Sequence, residues 1–314
     1  MKKIENAAVI GMGALGLLFG QGMYRALGDE HFSFVMDPAR KEKYSKAVYK
    51  INDKSITFPI RTTDDFAADD GTAIERPDLI VIATKSNGLL DARSMAKDIV
   101  GPNTIIISLL NGITSEEILG ECLPEERIIC SMGMGMDARR EGTSLKYKNM
   151  GRIQIGISDE AQRPLLDSLI EFFERSNTPY EICPDIQKAM WNKFMINIGV
   201  NQTCMVYNTT YGGSLSREDA FSDMNSAMEE VMDVAAARGI NLTREDFDND
   251  IAILESLDPE GFPSMQQDAM AKRKTEVDMF AGTLIEIAGR YGIPVPTNEK
   301  YYKIIKEMES NIGT

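Results

Sequence analysis

The feature that most narrows what this chain can fold into lies within its first sixteen residues. A short apolar run, Ala7-Ala8-Val9-Ile10, meets Gly11-Met12-Gly13-Ala14-Leu15-Gly16, after which Leu17, Leu18, Met23 and Leu27 recur at roughly helical spacing. Strand, glycine turn and helix in that order form a dinucleotide site. Gly11 makes the tight turn, Gly13 lets a pyrophosphate approach the backbone, and Gly16 lets helix and strand pack closely. The phosphates then sit on the positive end of the helix, so Gly11, Met12, Gly13, Ala14, Leu15 and Gly16 are the expected cofactor-binding set. A second strand, Phe32 to Met36, ends at Asp37, 21 residues after Gly16. An acid there accepts hydrogen bonds from the adenosine ribose of NAD and repels the extra phosphate of NADP. Arg40 and Lys41 follow closely, and a turn through Pro38 brings either onto a 2′-phosphate, which leaves the cofactor preference open. The alternative for Asp37-Pro38 is a simple turn initiator.

At 314 residues the chain has room for roughly two domains, each with its own core. The apolar runs are only strand-sized, so no transmembrane segment is expected. Met1 to Ile10 run into a strand pattern without a signal-peptide apolar region, which points to the cytoplasm. Formal charge is 34 − 48 = −14, and no Lys/Arg run forms a phosphate track, so nucleic acid is not an expected partner. Cys122, Cys130, Cys183 and Cys204 are too far apart for a CxxC pair and read as reduced, mostly packed thiols. The single histidine, His31, lies in a polar turn. With no second histidine, multi-histidine zinc sites are excluded, no metal is expected, and acid–base chemistry falls to lysine or a carboxylate.

Asp78 to Thr84 reads as a buried parallel strand ending at Lys85, and Thr104 to Leu110 as another ending at Asn111-Gly112. Ligands gather at the carboxyl ends of such strands, so Lys85 and Asn111 are candidates for the cofactor's nicotinamide half or the substrate. The alternatives are a solvated loop lysine and a plain turn. Segments Arg127 to Met132 and Arg152 to Ile157 continue the sheet, Pro164 to Ser176 reads as a helix, and Tyr180 to Cys183 as a short strand. From Asp185 onward the pattern is helical. The expected fold is therefore α/β: an N-terminal, Rossmann-type doubly wound sheet (1–184, dinucleotide-binding) and an all-α C-terminal domain (185–314, substrate-binding and catalytic), the latter able to support a homodimer.

The helix beginning near Asp185 is too apolar for a surface helix, yet Lys193, Asn197 and Asn201 recur along it at i, i+4 and i+8. Left unpaired among apolar neighbours, such groups cost roughly 1–3 kcal/mol each, and a polar ligand would satisfy them. Gly199 adds a sign of close approach. The alternative is a stripe that faces water. The last long helix opens at Ser264, a good N-cap with Gln267 at the capping-box position, and runs on through Lys272 to Leu284. Glu276 is then either the i+4 partner of Lys272 or a carboxylate that holds a substrate hydroxyl.

Taken together, Gly11 to Gly16, Lys85, Asn111-Gly112, the Lys193/Asn197/Asn201 stripe, and Ser264-Met265-Gln266-Gln267-Asp268 followed by Lys274-Thr275-Glu276-Val277-Asp278 resemble the ketopantoate reductase (2-dehydropantoate 2-reductase) family. The resemblance runs through essentially the whole chain. It implies an NADPH-linked reduction of 2-dehydropantoate to (R)-pantoate, on the route to pantothenate and coenzyme A. It also implies Lys193 as general acid, Glu276 on the substrate hydroxyl, Asn197, Asn201 and Ser264 as substrate contacts, and Lys85 and Asn111 in the cofactor and keto-group region. Two positions depart from the family. Asp37 stands where an arginine often grips the 2′-phosphate, which makes NAD(H) a plausible cofactor beside NADP(H). Tyr211 stands where some members carry a substrate-contacting asparagine. The competing functions are a paralogue that reduces another 2-keto acid and a dinucleotide sensor without turnover.

Overall fold

The structure is a computed structural model that describes residues 3–67 and 74–312. Met1 and Lys2, the lead-in to the first strand, lie outside the described residues. The chain forms two compact units, residues 1–186 and 187–314.

The first unit contains β1 (Ala7–Ile10), α1 (Ala14–Leu27), β2 (Phe32–Val35), α2 (Pro38–Tyr44), β3 (Tyr49–Ile51), β4 (Lys54–Ile56), β5 (Ile60–Arg61) and β6 (Leu79–Ile82). It continues through α3 (Leu89–Ile99), β7 (Ile105–Ser108), α4 (Ser115–Gly120), β8 (Ile128–Met134), β9 (Arg139–Glu141), β10 (Ser144–Lys146), β11 (Arg152–Gly156), α5 (Arg163–Arg175) and β12 (Tyr180–Ile182). The main sheet runs β12-β11-β8-β7-β6-β1-β2-β5. It is parallel from β5 to β8, with β11 antiparallel to β8. Leu79, Ile80, Val81 and Ile82 are all buried, as a central parallel strand covered on both faces demands. The chain leaves β1 toward β2 and later returns to β6 on the other flank of β1. That reversal makes the carboxyl ends of β1 and β6 the place where such sheets hold a ligand.

A second, four-stranded sheet, β4-β3-β10-β9, was not expected from the sequence. Its strands are three residues long, and β3 pairs in parallel with β10, Lys50 opposite Ser144. Tyr49 of this sheet joins Tyr24, Phe32, Phe34 and Phe58 in a cluster of rings that meet edge-on or tilted, with centroids 5.1–6.3 Å apart.

The second unit is helical: α6 (Ile186–Ile196), α7 (Gln202–Val206), α8 (Tyr211–Ser216), α9 (Glu218–Ala237), α10 (Arg244–Glu255), α11 (Ser264–Met270), α12 (Thr283–Tyr291) and α13 (Pro296–Ile312). Two π-turns interrupt it, at Asn197–Asn201 and Asp278–Gly282. The single long helix expected from Ser264 to Leu284 is broken: α11 stops at Met270 and Lys272 takes a left-handed φ of +53°. No helix among the described residues is long and apolar enough to cross a membrane.

Within this unit Asp250 on α10 is 2% exposed and accepts a hydrogen bond from Asn192 Nδ2 at 3.0 Å. Burial pushes its carboxyl up to about 7, and the neighbouring Asp246 adds to the rise. Asp250 Oδ2 and Asn192 Oδ1 are buried with no other partner, and a proton on Oδ2 makes one of these oxygens a donor. In the unfolded chain the same group ionises near 4. Stability from the neutral acid is therefore complete below about pH 4 and is lost as pH rises through about 7, a span of the order of 4 kcal/mol. Asp250→Asn is expected to flatten this fall. Thermal midpoints at pH 5 and pH 8.5 check it, and parallel wild-type and variant curves would show that Asp250 does not titrate there.

Candidate active site

The nucleotide loop is fixed by packing at two of its three glycines and left open at the third. Gly11 has φ +107°, and a Cβ there would fall 2.5 Å from the carbonyl carbon of Ala83, just beyond β6. A Cβ on Gly16 would fall 1.9 Å from the Gly11 carbonyl oxygen. At Gly13 it would meet only the Ala83 oxygen, at an ordinary 3.7 Å. The protein itself therefore does not demand glycine at 13, and the space in front of it is free for a ligand. Gly13 caps α1 without a side-chain acceptor, so the first amides of a 14-residue helix face that space. Thr84 Oγ1, at the end of β6, is buried without a hydrogen-bond partner. Open space, uncapped amides and an orphaned hydroxyl fit the pyrophosphate of a dinucleotide.

Asp37 is the N-cap of α2, with Pro38 at the first helical position. Its carboxylate accepts from the Arg40 amide at 2.9 Å, and Arg40 Nε lies 3.4 Å away. The expected turn initiator is thus present, and the half-exposed carboxylate retains capacity for a ribose. Lys41 is held instead by Asp65, at 2.7 Å. Lys85 begins a single turn after β6 and is exposed, whereas Asn111 is half-buried beyond the end of β7, followed by Gly112 at φ +91°. Ser131 on β8 ties that strand to the end of β7 by donating to the Ser108 carbonyl at 2.7 Å. The first unit therefore brings the glycine loop, Asp37, Lys85 and Asn111 to the carboxyl edge of one sheet.

In the second unit Lys193 lies half-buried on α6, a helix whose Trp191, Phe194 and Met195 are buried. Phe194 meets Trp191 edge-on at 5.9 Å and Phe280 of the second π-turn at 6.3 Å. Burial pushes the Lys193 ammonium down to about 8, against the supporting negative charge of Glu276. The polar stripe is not one α-helix. At 3.6 residues per turn, steps of four drift by about 40° each, and the wider π-turn over Asn197–Asn201 takes up part of that drift. Asn201 Nδ2 accordingly donates to Asn197 Oδ1, at 3.5 Å.

Three expectations change. A Cβ on Gly199 would come within 2.5 Å of Met228 on α9, so the close approach at Gly199 is helix packing, not a ligand. Ser264 is not an N-cap: Pro263 holds that place, and the exposed Ser264 hydroxyl has no hydrogen bond among the described residues. Glu276 is not on a helix with Lys272 but in an irregular segment before the second π-turn. That segment is anchored where Thr275 N–H and Oγ1 both donate to Glu309 on α13, at 2.7 Å.

Beyond these candidates, the Arg140 guanidinium donates to the Met12 carbonyl in the glycine loop. Neither Arg140 nor Thr84 carried a motif, and Gln202, fully buried next to Asn201, was hidden by its apolar surroundings. His31 pairs with Asn6 Oδ1 at 2.8 Å, in an exposed position. All four cysteines are free thiols; Cys130 and Cys204 are buried and Cys183 half-buried, and Cys122 alone of the four is exposed. No group of three His, Cys, Asp or Glu suited to a metal occurs among the described residues.

A glycine loop on a doubly wound sheet, with a helical unit carrying a desolvated lysine beside a carboxylate, defines an oxidoreductase that works with a bound dinucleotide. Residues 7–160 match the family model "Ketopantoate reductase PanE/ApbA" and residues 185–309 match "Ketopantoate reductase PanE/ApbA C terminal". The chain belongs to the ketopantoate reductase family and is an NAD(P)-dependent oxidoreductase acting on a keto group. It is 26% identical to 2-dehydropantoate 2-reductase of Pyrococcus abyssi over 308 residues, covering 97% of this chain and 98% of the relative. Among solved structures, a PanE/ApbA family ketopantoate reductase from Ralstonia eutropha superposes with a TM-score of 0.81 at 21% identity, covering 98% of this chain and all of that one. D-mandelate dehydrogenase in complex with NADH gives 0.85 at 21% identity, covering 98% and 99%.

Proposed function

We propose that this enzyme reduces 2-dehydropantoate to (R)-pantoate, the step on the route to pantothenate and coenzyme A, with Lys193 as general acid. The observation that carries the reading is the Lys193 ammonium, desolvated by burial against the supporting charge of Glu276 and held near physiological pH at about 8. The bound NAD(P)H supplies the hydride. As the keto carbon becomes tetrahedral, charge grows on its oxygen, and Lys193 Nζ donates a hydrogen bond and then a proton to it. The desolvation of that ammonium strengthens the interaction. Asn197, Asn201 and Ser264 supply neutral hydrogen-bonding groups that orient the acid, and the Glu276 carboxylate accepts from the substrate hydroxyl. In the first unit, Gly11 to Gly16 cradle the pyrophosphate, Asp37 and Arg40 meet the adenosine ribose, and Lys85 and Asn111 face the nicotinamide half.

The test is loss of the nicotinamide absorbance on mixing with 2-dehydropantoate, run separately with NADH and NADPH. Decay is expected with at least one of them. No decay with either would leave a protein that binds dinucleotide without turnover.

Tyr211 favours a second reading, in which a different 2-keto acid is the preferred substrate. Its ring lies against Gly261, where a Cβ would come within 3.0 Å of it, and its amide donates to the Gly261 carbonyl at 3.0 Å. An aromatic wall there in place of an amide suits a less polar substrate side chain, and a panel of 2-keto acids separates the two readings.

Cofactor choice is expected to follow Asp37. Asp37→Ser keeps a capping oxygen on α2 and removes the charge that repels a 2′-phosphate. The ratio of kcat/KM for NADPH to that for NADH should rise about tenfold or more, equivalent to about 1.4 kcal/mol. An unchanged ratio would reduce Asp37 to a helix cap.

A further inference from the structure

The side chain of Gln202 opens α7, and none of its surface is exposed. Its Nε2 donates to the Ile198 carbonyl, in the first π-turn, at 3.1 Å. Its Oε1 accepts the Ala281 amide, in the second π-turn, at 3.2 Å. Ile198 lies five residues after Lys193 and Ala281 five residues after Glu276, so one amide bridges the two functional segments at equal offsets along the chain. A π-turn takes backbone groups off the regular helical ladder, and Gln202 satisfies one such group in each turn.

The bridge is itself anchored. Gln202 Nε2 also donates to Asn298 Oδ1 at 3.2 Å, and Asn298 Nδ2 donates to Glu230 Oε2 on α9 at 2.7 Å. Glu230 further accepts the amides of Thr297 and Asn298 at 2.7 and 3.0 Å, which fixes the start of α13. Both polar atoms of the Gln202 side chain thus have partners, and the partners belong to three different segments of one unit. A side chain present only to fill volume would not need this set of donors and acceptors, and an apolar residue of the same size would fill the space as well.

We propose that Gln202 is a positioning residue that sets the spacing between Lys193 and Glu276 by tying the first π-turn to the second. The inference rests on the roles given to Lys193 and Glu276 above. Gln202 does not touch the reacting atoms. It holds the carboxylate where its charge supports the ammonium and where both groups meet one substrate.

Two variants test this, with cofactor affinity, keto-acid kinetics and the pH profile as readouts. Gln202→Leu keeps the volume and removes all three bonds. Its kcat/KM for the keto acid is expected to fall at least tenfold, and its NAD(P)H dissociation constant to stay within about twofold. The alkaline limb of its profile should move to lower pH, because Glu276 no longer supports the ammonium, a displacement that lower stability alone would not produce. Gln202→Glu, neutral while buried, retains one acceptor and one donor. It should recover most of the wild-type kcat/KM at pH 6 and lose it earlier than wild type as pH rises, since an ionised carboxylate cannot donate to Ile198. A Leu variant with wild-type kcat/KM and limb would overturn the proposal, and if that variant does not fold, a wild-type profile in the Glu variant overturns it alone. Failure of the underlying reading looks different: wild-type enzyme would then show no keto-acid reduction, or Lys193→Ala would keep its rate.

Discussion

Lys193→Ala is expected to lose between 10²- and 10⁴-fold in kcat while its affinity for NAD(P)H stays nearly unchanged. The range is that of a positioned general acid removed from a keto reduction. The upper part applies here because burial desolvates the ammonium, and a desolvated donor stabilises the developing charge more than a hydrated one does. Cofactor affinity is spared because the loop that cradles the pyrophosphate belongs to the other compact unit. Equal losses in kcat and kcat/KM would mark an interaction made in the transition state, whereas a rise in KM alone would make Lys193 a binding group. Steady-state kinetics with a separate fluorescence titration of NAD(P)H distinguishes these outcomes.

Gly13→Val and Gly16→Ala are expected to fail in opposite ways. At Gly13 the backbone is extended, with φ −78° and ψ −164°, and a Cβ meets nothing closer than 3.7 Å. Valine there should leave folding within about 1 kcal/mol of wild type, the scale of a helix-cap change. Its branched side chain occupies the space offered to the pyrophosphate, so NAD(P)H affinity should drop at least a hundredfold, about 2.7 kcal/mol. At Gly16 the added methyl falls 1.9 Å from the Gly11 carbonyl oxygen, and the contact between the glycine turn and α1 must open. Overpacking of that severity costs about 3 kcal/mol or more, lowering the thermal midpoint by about 10 °C. Thermal unfolding alongside cofactor titration checks both. A Gly13→Val protein that binds NAD(P)H normally would remove the loop from the cofactor site.

The nucleotide end of the molecule was legible in the sequence because its signals are local. An apolar tetrapeptide, three glycines and a helical repeat lie within one stretch of chain, and they fold as the strand, turn and helix their order predicts. The small β4-β3-β10-β9 sheet was not legible, because its strands are three residues long and β3 pairs with β10 far away in the chain. Ser264 shows how a local signal misleads by one position: Ser-x-x-Gln has the spacing of a capping box, but Pro263 takes the cap and Gln267 Nε2 turns back to the Phe262 carbonyl at 2.8 Å. The break after Met270 depends on a left-handed Lys272, a residue type with no preference for that conformation. Neither π-turn had a propensity signature. The alignment of Asn197 with Asn201 and the meeting of the Lys193 helix with the Glu276 segment depend on long-range packing, through Phe194 on Phe280 and through Gln202.

The pH dependence of kcat/KM for 2-dehydropantoate tests the central claim most directly, because it reads the proton on the proposed acid during turnover. A rate that is level at lower pH and falls tenfold per unit above about 8, with the descending limb absent from the residual activity of Lys193→Ala, is the predicted result. A rate that holds steady to pH 10, or a limb that survives in the alanine variant, would contradict it.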